Sequence, residues 1–439
     1  MAAASGAAVV GQARERAAPT QRSTPLPKPS FYWGIGIENC WMAQTDPQRD
    51  GNRRLLDVFL QMDHYRRWKE DLDLLPATGV NCLRYSVPWY RAEPKPGVYD
   101  WSWIDKPIEY LVNKLKIIPI MDLIHYGTPT WMPDGVADER FPEAIGRYAD
   151  AMARHFKGLV NHYTPHNEPQ ITCLFCGLLK RWPPYQGTPE AWARIGAAVA
   201  KGMVLEMQAI RAAIPDAVIV SVECLTEGVV DRQARIGQDD PRRAEFHMAS
   251  SYYPAALAYG KIAAGHPLAE FVVGHGVKDA DLDWFRRNAA QPDYLGWNSY
   301  PAINTDGGIA LQQAANRAAA GVEQSLRRAQ TYFRLPVYIT ETSSGLKADE
   351  RVAYIAALGE MVARLRKARF PLVGVNWWPL FETIQWDYRE VVDKPLASFI
   401  RRGGWNNGLF EIEPQPDGAL KRVPTPAVEA FRQMIEQQR

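Results

Sequence analysis

From Phe31 onward, short apolar runs alternate with longer stretches whose apolar residues recur every three or four positions. The runs are FYWGIGI (31 to 37), NCLRYSV (81 to 87), IIPIMDLI (117 to 124), VNHYTPH (160 to 166), AVIVSVE (217 to 223), DYLGWNS (293 to 299), PVYIT (336 to 340) and PLVGVNWW (371 to 378). They do not alternate strictly between apolar and polar, so they predict eight strands buried on both faces.

Between the runs the spacing becomes helical. Ile145, Tyr148, Met152, Phe156 and Leu159 share one face after PEA, and Val352, Ile355, Leu358, Val362 and Leu365 share another. Further helices are expected to begin near Met62, Ile104, Pro189 and Pro241, and SYYPAALAYG predicts a packed helix in the long stretch after the fifth run. Strands separated by helices imply a parallel sheet with right-handed crossovers. Eight such units predict an α/β fold closed into a (β/α)8 TIM barrel, one domain over residues 31–439. A doubly wound open sheet is the alternative; it would carry a glycine-rich phosphate loop after its first strand, and GIGIENC has no such pattern. In a barrel, reactive groups collect at the carboxyl ends of the strands, where the loops converge on one mouth.

Composition narrows the ligand. Lys plus Arg number 51 and Asp plus Glu 49, with no basic block, so neither nucleic acid nor an anionic membrane is expected as a partner. No run of about 18 apolar residues occurs, and no membrane-spanning helix is expected. Residues 1–30, rich in Ala, Arg, Thr and Pro, make a poor signal peptide and read as a disordered tail. The five cysteines, an odd number scattered through the chain, predict no disulfide framework and a reducing, cytoplasmic setting. Cys173 and Cys176 form a CxxC with neither a second CxxC nor a histidine at zinc-finger spacing; they read as small, semi-buried loop residues. No metal and no cofactor is expected.

Two carboxylates stand out. Glu168, in HYTPHNEPQ (162 to 170), falls just past the fourth predicted strand, and Glu341, in YITETSSG, just past the seventh. Alone, either is more often a loop or helix-start carboxylate. Together, at strands four and seven of an eightfold pattern, they can approach one ligand from opposite sides. Cleavage of a glycosidic bond needs an acid for the departing oxygen and a carboxylate for the oxocarbenium-like centre, and a separation of about 5 to 5.5 Å lets the second attack directly with retention. Glu168 would be the acid and later the base; Glu341 would be the nucleophile. Glu341 must stay ionised, while Glu168, sharing a desolvated pocket with that charge, should keep its proton.

At these residues the sequence resembles family 1 of the glycoside hydrolases, retaining β-glycosidases on a (β/α)8 barrel. YTPHNEP resembles the family's T-x-N-E-P acid/base motif and YITE the start of its I-T-E-N-G nucleophile motif. FYWG resembles its first strand, LRYSVPW its Y-R-F-S-I-S-W, HY at 125 and 126 its H-W, LGWNSY its G-x-N-Y-Y, and WPLFETIQW (378 to 386) its W-S-L-L-D-N-F-E-W. The resemblance implies Arg84 as the cation near the nucleophile, His125 as a hydroxyl ligand, Asn167 at the sugar 2-hydroxyl, and Asn298 with Tyr300, the latter hydrogen-bonded to Glu341. It further implies Trp378 as the stacking floor and Trp386 as a wall. Three departures concern sugar choice: Gln385 stands where the family has a glutamate, Glu38 in GIENCW is a candidate substitute for a glutamine, and ETSSG lacks the Asn-Gly after the nucleophile. His162 reads as packing and His166 as a group behind Glu168.

The reading is thus a cofactor-free retaining exo-β-glycosidase acting on a small glycoside. The rivals are a transglycosidase using the same glutamates, a carbohydrate-binding barrel without catalysis, and, on an open sheet, a nucleotide-dependent oxidoreductase. Oligomeric state, sugar and aglycone are not legible.

Overall fold

In the computed structural model, residues 24–43, 56–382 and 407–439 are described, residues 235, 238 and 346 excepted. Eight parallel strands form the central sheet: Tyr32–Gly36, Cys82–Ser86, Ile118–Ile124, His162–His166, Val218–Ile219, Leu295–Ser299, Val337–Thr342 and Leu372–Trp377. We number them one to eight. Their spatial order is five-four-three-two-one-eight-seven-six. Bridges Val220 to Tyr294 and Glu223 to Trp297 join strand five to strand six, so the sheet closes into a (β/α)8 barrel.

Both sides of this barrel are apolar, for two different reasons. Outward-facing residues pack under helices, chiefly Phe141–His155, Pro189–Ala213, Leu311–Phe333 and Ala348–Lys367. Inward-facing Tyr32, Cys82, Ile118, Ile120, Val218, Val220, Tyr294 and Tyr338 make a separate plug low in the barrel. Leu26 packs against this plug and the Lys28 ammonium lies 4.6 Å from the Tyr294 ring centre. His162, expected only to pack, also shares a 2.9 Å hydrogen bond with the Tyr32 hydroxyl. With the lower end filled, the room left inside the barrel lies toward the carboxyl end of the strands.

Several boundaries differ from the sequence reading. The seventh strand runs to Thr342, so Glu341 lies on the strand itself and not past it. The fifth contracts to two ladder residues, with Val220 to Glu223 held by single bridges. The helix after PEA ends at His155, so Phe156 and Leu159 lie beyond it. Cys173 and Cys176 are fully buried on a helical turn, Cys173–Leu178, rather than semi-buried in a loop. The packed segment in SYYPAALAYG is a single buried turn, Ala255–Ala258. Helix Leu311–Phe333 escaped notice because its buried face is built mainly from alanines, Ala314, Ala315, Ala318, Ala319 and Ala329, which do not stand out as an apolar stripe. Among the described residues no helix is long and apolar enough to cross a membrane.

Closure between strands five and six leaves no room for a side chain at Gly296: a Cβ there would fall 1.7 Å from the Ser221 carbonyl oxygen. Gly296→Ala should therefore lower stability by about 1–3 kcal/mol. Gly321→Ala, on a helix with nothing within 4 Å of the new methyl, should raise it by about 0.5–1 kcal/mol. Thermal and denaturant unfolding of the two variants beside the parent checks the pair.

Candidate active site

Glu168 closes strand four in an unusual backbone state. Its φ of 41° is left-handed, a conformation that costs a non-glycine residue on the order of 1–3 kcal/mol and persists only where its surroundings hold it. The Glu168 N–H donates to the Val222 carbonyl at 2.9 Å, and a short helix, Pro169–Thr172, begins immediately after. The carboxylate accepts from Asn298 Nδ2 at 2.9 Å and from the Tyr126 hydroxyl. Tyr126 is itself left-handed, with φ 83°.

Asn298 joins the two glutamates. It sits on strand six in register with Glu341 on strand seven, and the Thr340 hydroxyl donates to its Oδ1 at 2.8 Å, turning its amide nitrogen toward Glu168. Glu341 accepts from Arg84 Nη1 and from the Tyr300 hydroxyl. Of the expected set, then, Arg84, Tyr300 and Asn298 converge with both glutamates.

Arg84 is fully buried and shared. Its Nη2 donates to Asp122 Oδ2 at 2.7 Å and to Asn167 Oδ1. His125 Nδ1 lies 3.0 Å from the same Asp122 oxygen, so Nδ1 carries the proton, and Nε2 accepts from Asn167 Nδ2 at 3.3 Å. The 3.4 Å approach of Arg84 to Nδ1 is then between two donors and forms no hydrogen bond. Burial acts to raise the Asp122 carboxyl, but Arg84 and His125 outweigh it and hold it below the usual carboxylate range.

Trp378 lies parallel to His125 with ring centres 5.6 Å apart, and the Arg84 guanidinium is 4.7 Å from its ring centre. Its indole Nε1 donates to Glu38 Oε2 at 3.2 Å, while Glu38 Oε1 caps the backbone N–H groups of Asn39 and Cys40 at 3.0 and 2.8 Å. Gly36 permits this placement, since a Cβ there would meet the Trp378 ring at 1.8 Å. His166 shares a 3.0 Å hydrogen bond with Thr172, behind the Glu168 turn. Gln385 and Trp386 lie outside the described residues.

The two glutamates are unlike in their surroundings. Burial and then the charge of Glu341 push the Glu168 carboxyl up to about 7, partly offset by the hydrogen bonds from Tyr126 and Asn298. Glu341 has a guanidinium against it. Such a pair holds one proton ready for donation near neutrality and keeps a second carboxylate clamped in place.

Three contributors escaped the sequence reading. Asp122 had a visible signal, a lone charge inside the apolar run IIPIMDLI. Tyr126 was read only as half of HY. Glu223, the last residue of AVIVSVE, is a further buried carboxylate at the mouth, accepting from Gln170 Nε2 and the Tyr259 hydroxyl, each at 2.6 Å.

Comparison with known proteins places this geometry. A β-glucosidase from Thermotoga maritima in complex with galacto-hydroximolactam superposes with a TM-score of 0.70 at 17% identity, covering 94% of this chain and 99% of that one, which shows a shared fold. A cyanidin 3-O-glucoside 7-O-glucosyltransferase (acyl-glucose) from Delphinium grandiflorum is 31% identical over 161 residues, 34% of this chain and 31% of its own. A 1,4-β-D-glucan glucohydrolase from Thermotoga neapolitana is 24% identical over 165 residues, 33% of this chain and 38% of its own. The matched stretches thus span less than half of these curated relatives. The profile of glycosyl hydrolase family 1 matches residues 41–261, half of the chain, a span that contains Arg84, His125, Asn167 and Glu168 and stops short of Glu341. On that match the chain belongs to glycosyl hydrolase family 1.

Proposed function

We propose that residues 31–439 form one catalytic domain, a retaining exo-β-glycosidase that hydrolyses a small β-glycoside by double displacement through a covalent glycosyl-enzyme intermediate. The observation that carries this reading is the linkage of Glu168 and Glu341 through Asn298, with the first pushed up to about 7 by burial and the charge of the second, and a guanidinium against the second. Glu168 protonates the leaving oxygen while Glu341 attacks the anomeric carbon. Once Glu341 is esterified its charge no longer raises Glu168, which then takes a proton from the incoming water.

The sugar is gripped by Asn167 at its 2-hydroxyl, by His125 through the Nε2 lone pair, and by Trp378 as the apolar floor, with Glu38 beside that floor. Arg84 and Tyr300 hold the Glu341 carboxylate in line. No step calls for a metal or cofactor.

A panel of aryl β-glycosides, followed by NMR of the first-formed sugar, tests the reading. Turnover with the β-anomer appearing first is expected; no turnover across the panel, or the α-anomer first, would sink it. For a substrate with a poor leaving group, kcat/KM should fall as pH rises through about 7, because the free enzyme must hold the Glu168 proton. A pH profile flat across that range would argue against Glu168 as the acid.

Transfer to an acceptor other than water is a second reading, and the similarity to the Delphinium glucosyltransferase favours including acceptors in the screen. It uses the same two glutamates and differs only in what deglycosylates the intermediate.

A further inference from the structure

Glu223, four residues beyond strand five, is fully buried, and its carboxylate takes hydrogen bonds from neutral donors, among them Gln170 Nε2 and the Tyr259 hydroxyl at 2.6 Å each. Gln170 lies two residues beyond Glu168, on the helical turn that begins where the left-handed Glu168 ends. On its other side, the Glu223 carbonyl accepts the Asn298 N–H at 2.8 Å, and Asn298 is the residue whose amide donates to Glu168. One residue therefore ties together the segment that carries Glu168 and the side chain that holds it.

A buried carboxylate with only neutral donors costs stability relative to an uncharged side chain of the same shape. Glutamine would fit the space, yet its amide oxygen alone accepts hydrogen bonds, whereas a carboxylate accepts from both donors and carries a charge. We infer that Glu223 is a positioning residue for Glu168: it clamps Gln170, and with it the turn that aims Glu168 into the mouth. This inference rests on the glycosidase reading with Glu168 as the acid. The titratable groups facing Glu223 are Tyr259 on the segment after strand five, Cys224 beside it, Glu168 on strand four and, beyond Tyr259, Glu206 on helix Pro189–Ala213. Burial first, and the Glu168 charge last, set the Glu223 carboxyl at about 7, against hydrogen bonds from Tyr259, Gln170 and Ser221 that lower it. It therefore titrates in the range where Glu168 does.

The test compares Glu223→Gln with the parent on two glycosides of the sugar selected by the panel. One has an alkyl aglycone that needs protonation to leave; the other has a dinitrophenyl aglycone that does not. Glu223→Gln should lose about tenfold or more in kcat/KM on the alkyl glycoside and less than about threefold on the activated one, because only the first depends on general acid catalysis. Gln170→Leu removes the same clamp from its other end, so it should reproduce the aglycone bias. Thermal melting establishes that both variants are folded. Equal losses on the two substrates, or no loss on either, would overturn the inference while leaving the glycosidase reading intact. A parent silent on both substrates would overturn the glycosidase reading and this inference with it.

Discussion

Replacing Glu341 with alanine should reduce turnover of an aryl β-glycoside by at least about 10⁴-fold, the scale on which loss of a covalent nucleophile is felt. Alanine leaves a cavity beside Arg84 and Tyr300, the two groups that hold the carboxylate. Azide or formate can occupy it and attack the anomeric carbon from the same face. Each should restore part of the activity and give a product of inverted configuration, since only one displacement then occurs. NMR of the rescued product is the decisive measurement. A Glu341→Ala protein that stays within tenfold of the parent, or whose rescued product keeps its configuration, would remove Glu341 from the chemistry.

The second large effect is at Glu168, and it should depend on the aglycone. Glu168→Ala should lose about 10²–10⁴-fold in kcat/KM on a glycoside whose leaving group needs a proton, and far less on a dinitrophenyl glycoside. With the activated substrate, hydrolysis of the intermediate becomes limiting because no base remains for water. KM should fall, and azide, which needs no base, should accelerate turnover and yield a glycosyl azide of retained configuration. The opposite stereochemical outcomes of azide in the two variants separate acid from nucleophile. A loss at Glu168 that is the same for both aglycones would mean that the residue supports the mouth without transferring a proton.

Much of the architecture was legible because burial leaves a direct trace in the sequence. Strands covered on both faces read as unbroken apolar runs, and the observed ladders start or stop within a residue or two of seven of the eight predicted ones. Strand five contracted because only Val218 and Ile219 keep continuous pairing, and no sequence pattern distinguishes ladder residues from bridges. Helix Pro189–Ala213 was anchored by a visible start: Thr188 caps it by accepting from the Ala191 N–H, and Pro189 follows. Helix Leu311–Phe333 offers neither a capping side chain nor a bulky stripe, and it went unread.

Within the site, the residues legible in advance were those carried by short motifs: the two glutamates, Arg84, His125, Asn167, Asn298 and Tyr300. Those missed act through lateral register. Asp122 reaches Arg84 because strands two and three place Ser86 opposite Asp122 and Arg84 one step below. Tyr126 reaches Glu168 through a left-handed bend that local propensity would not choose.

The sequence by itself determined that eight doubly buried strands would alternate with helices, and that carboxylates would stand at the ends of the fourth and the seventh, because hydrophobic pattern and residue chemistry are local properties. What lets Glu168 keep the proton that the sequence reading assigned to it comes only from tertiary structure. Proton affinity depends on burial, on the charge of a partner 173 positions away in the chain, and on donors brought in from strands two, three and six. Those distances exist only once the barrel has closed.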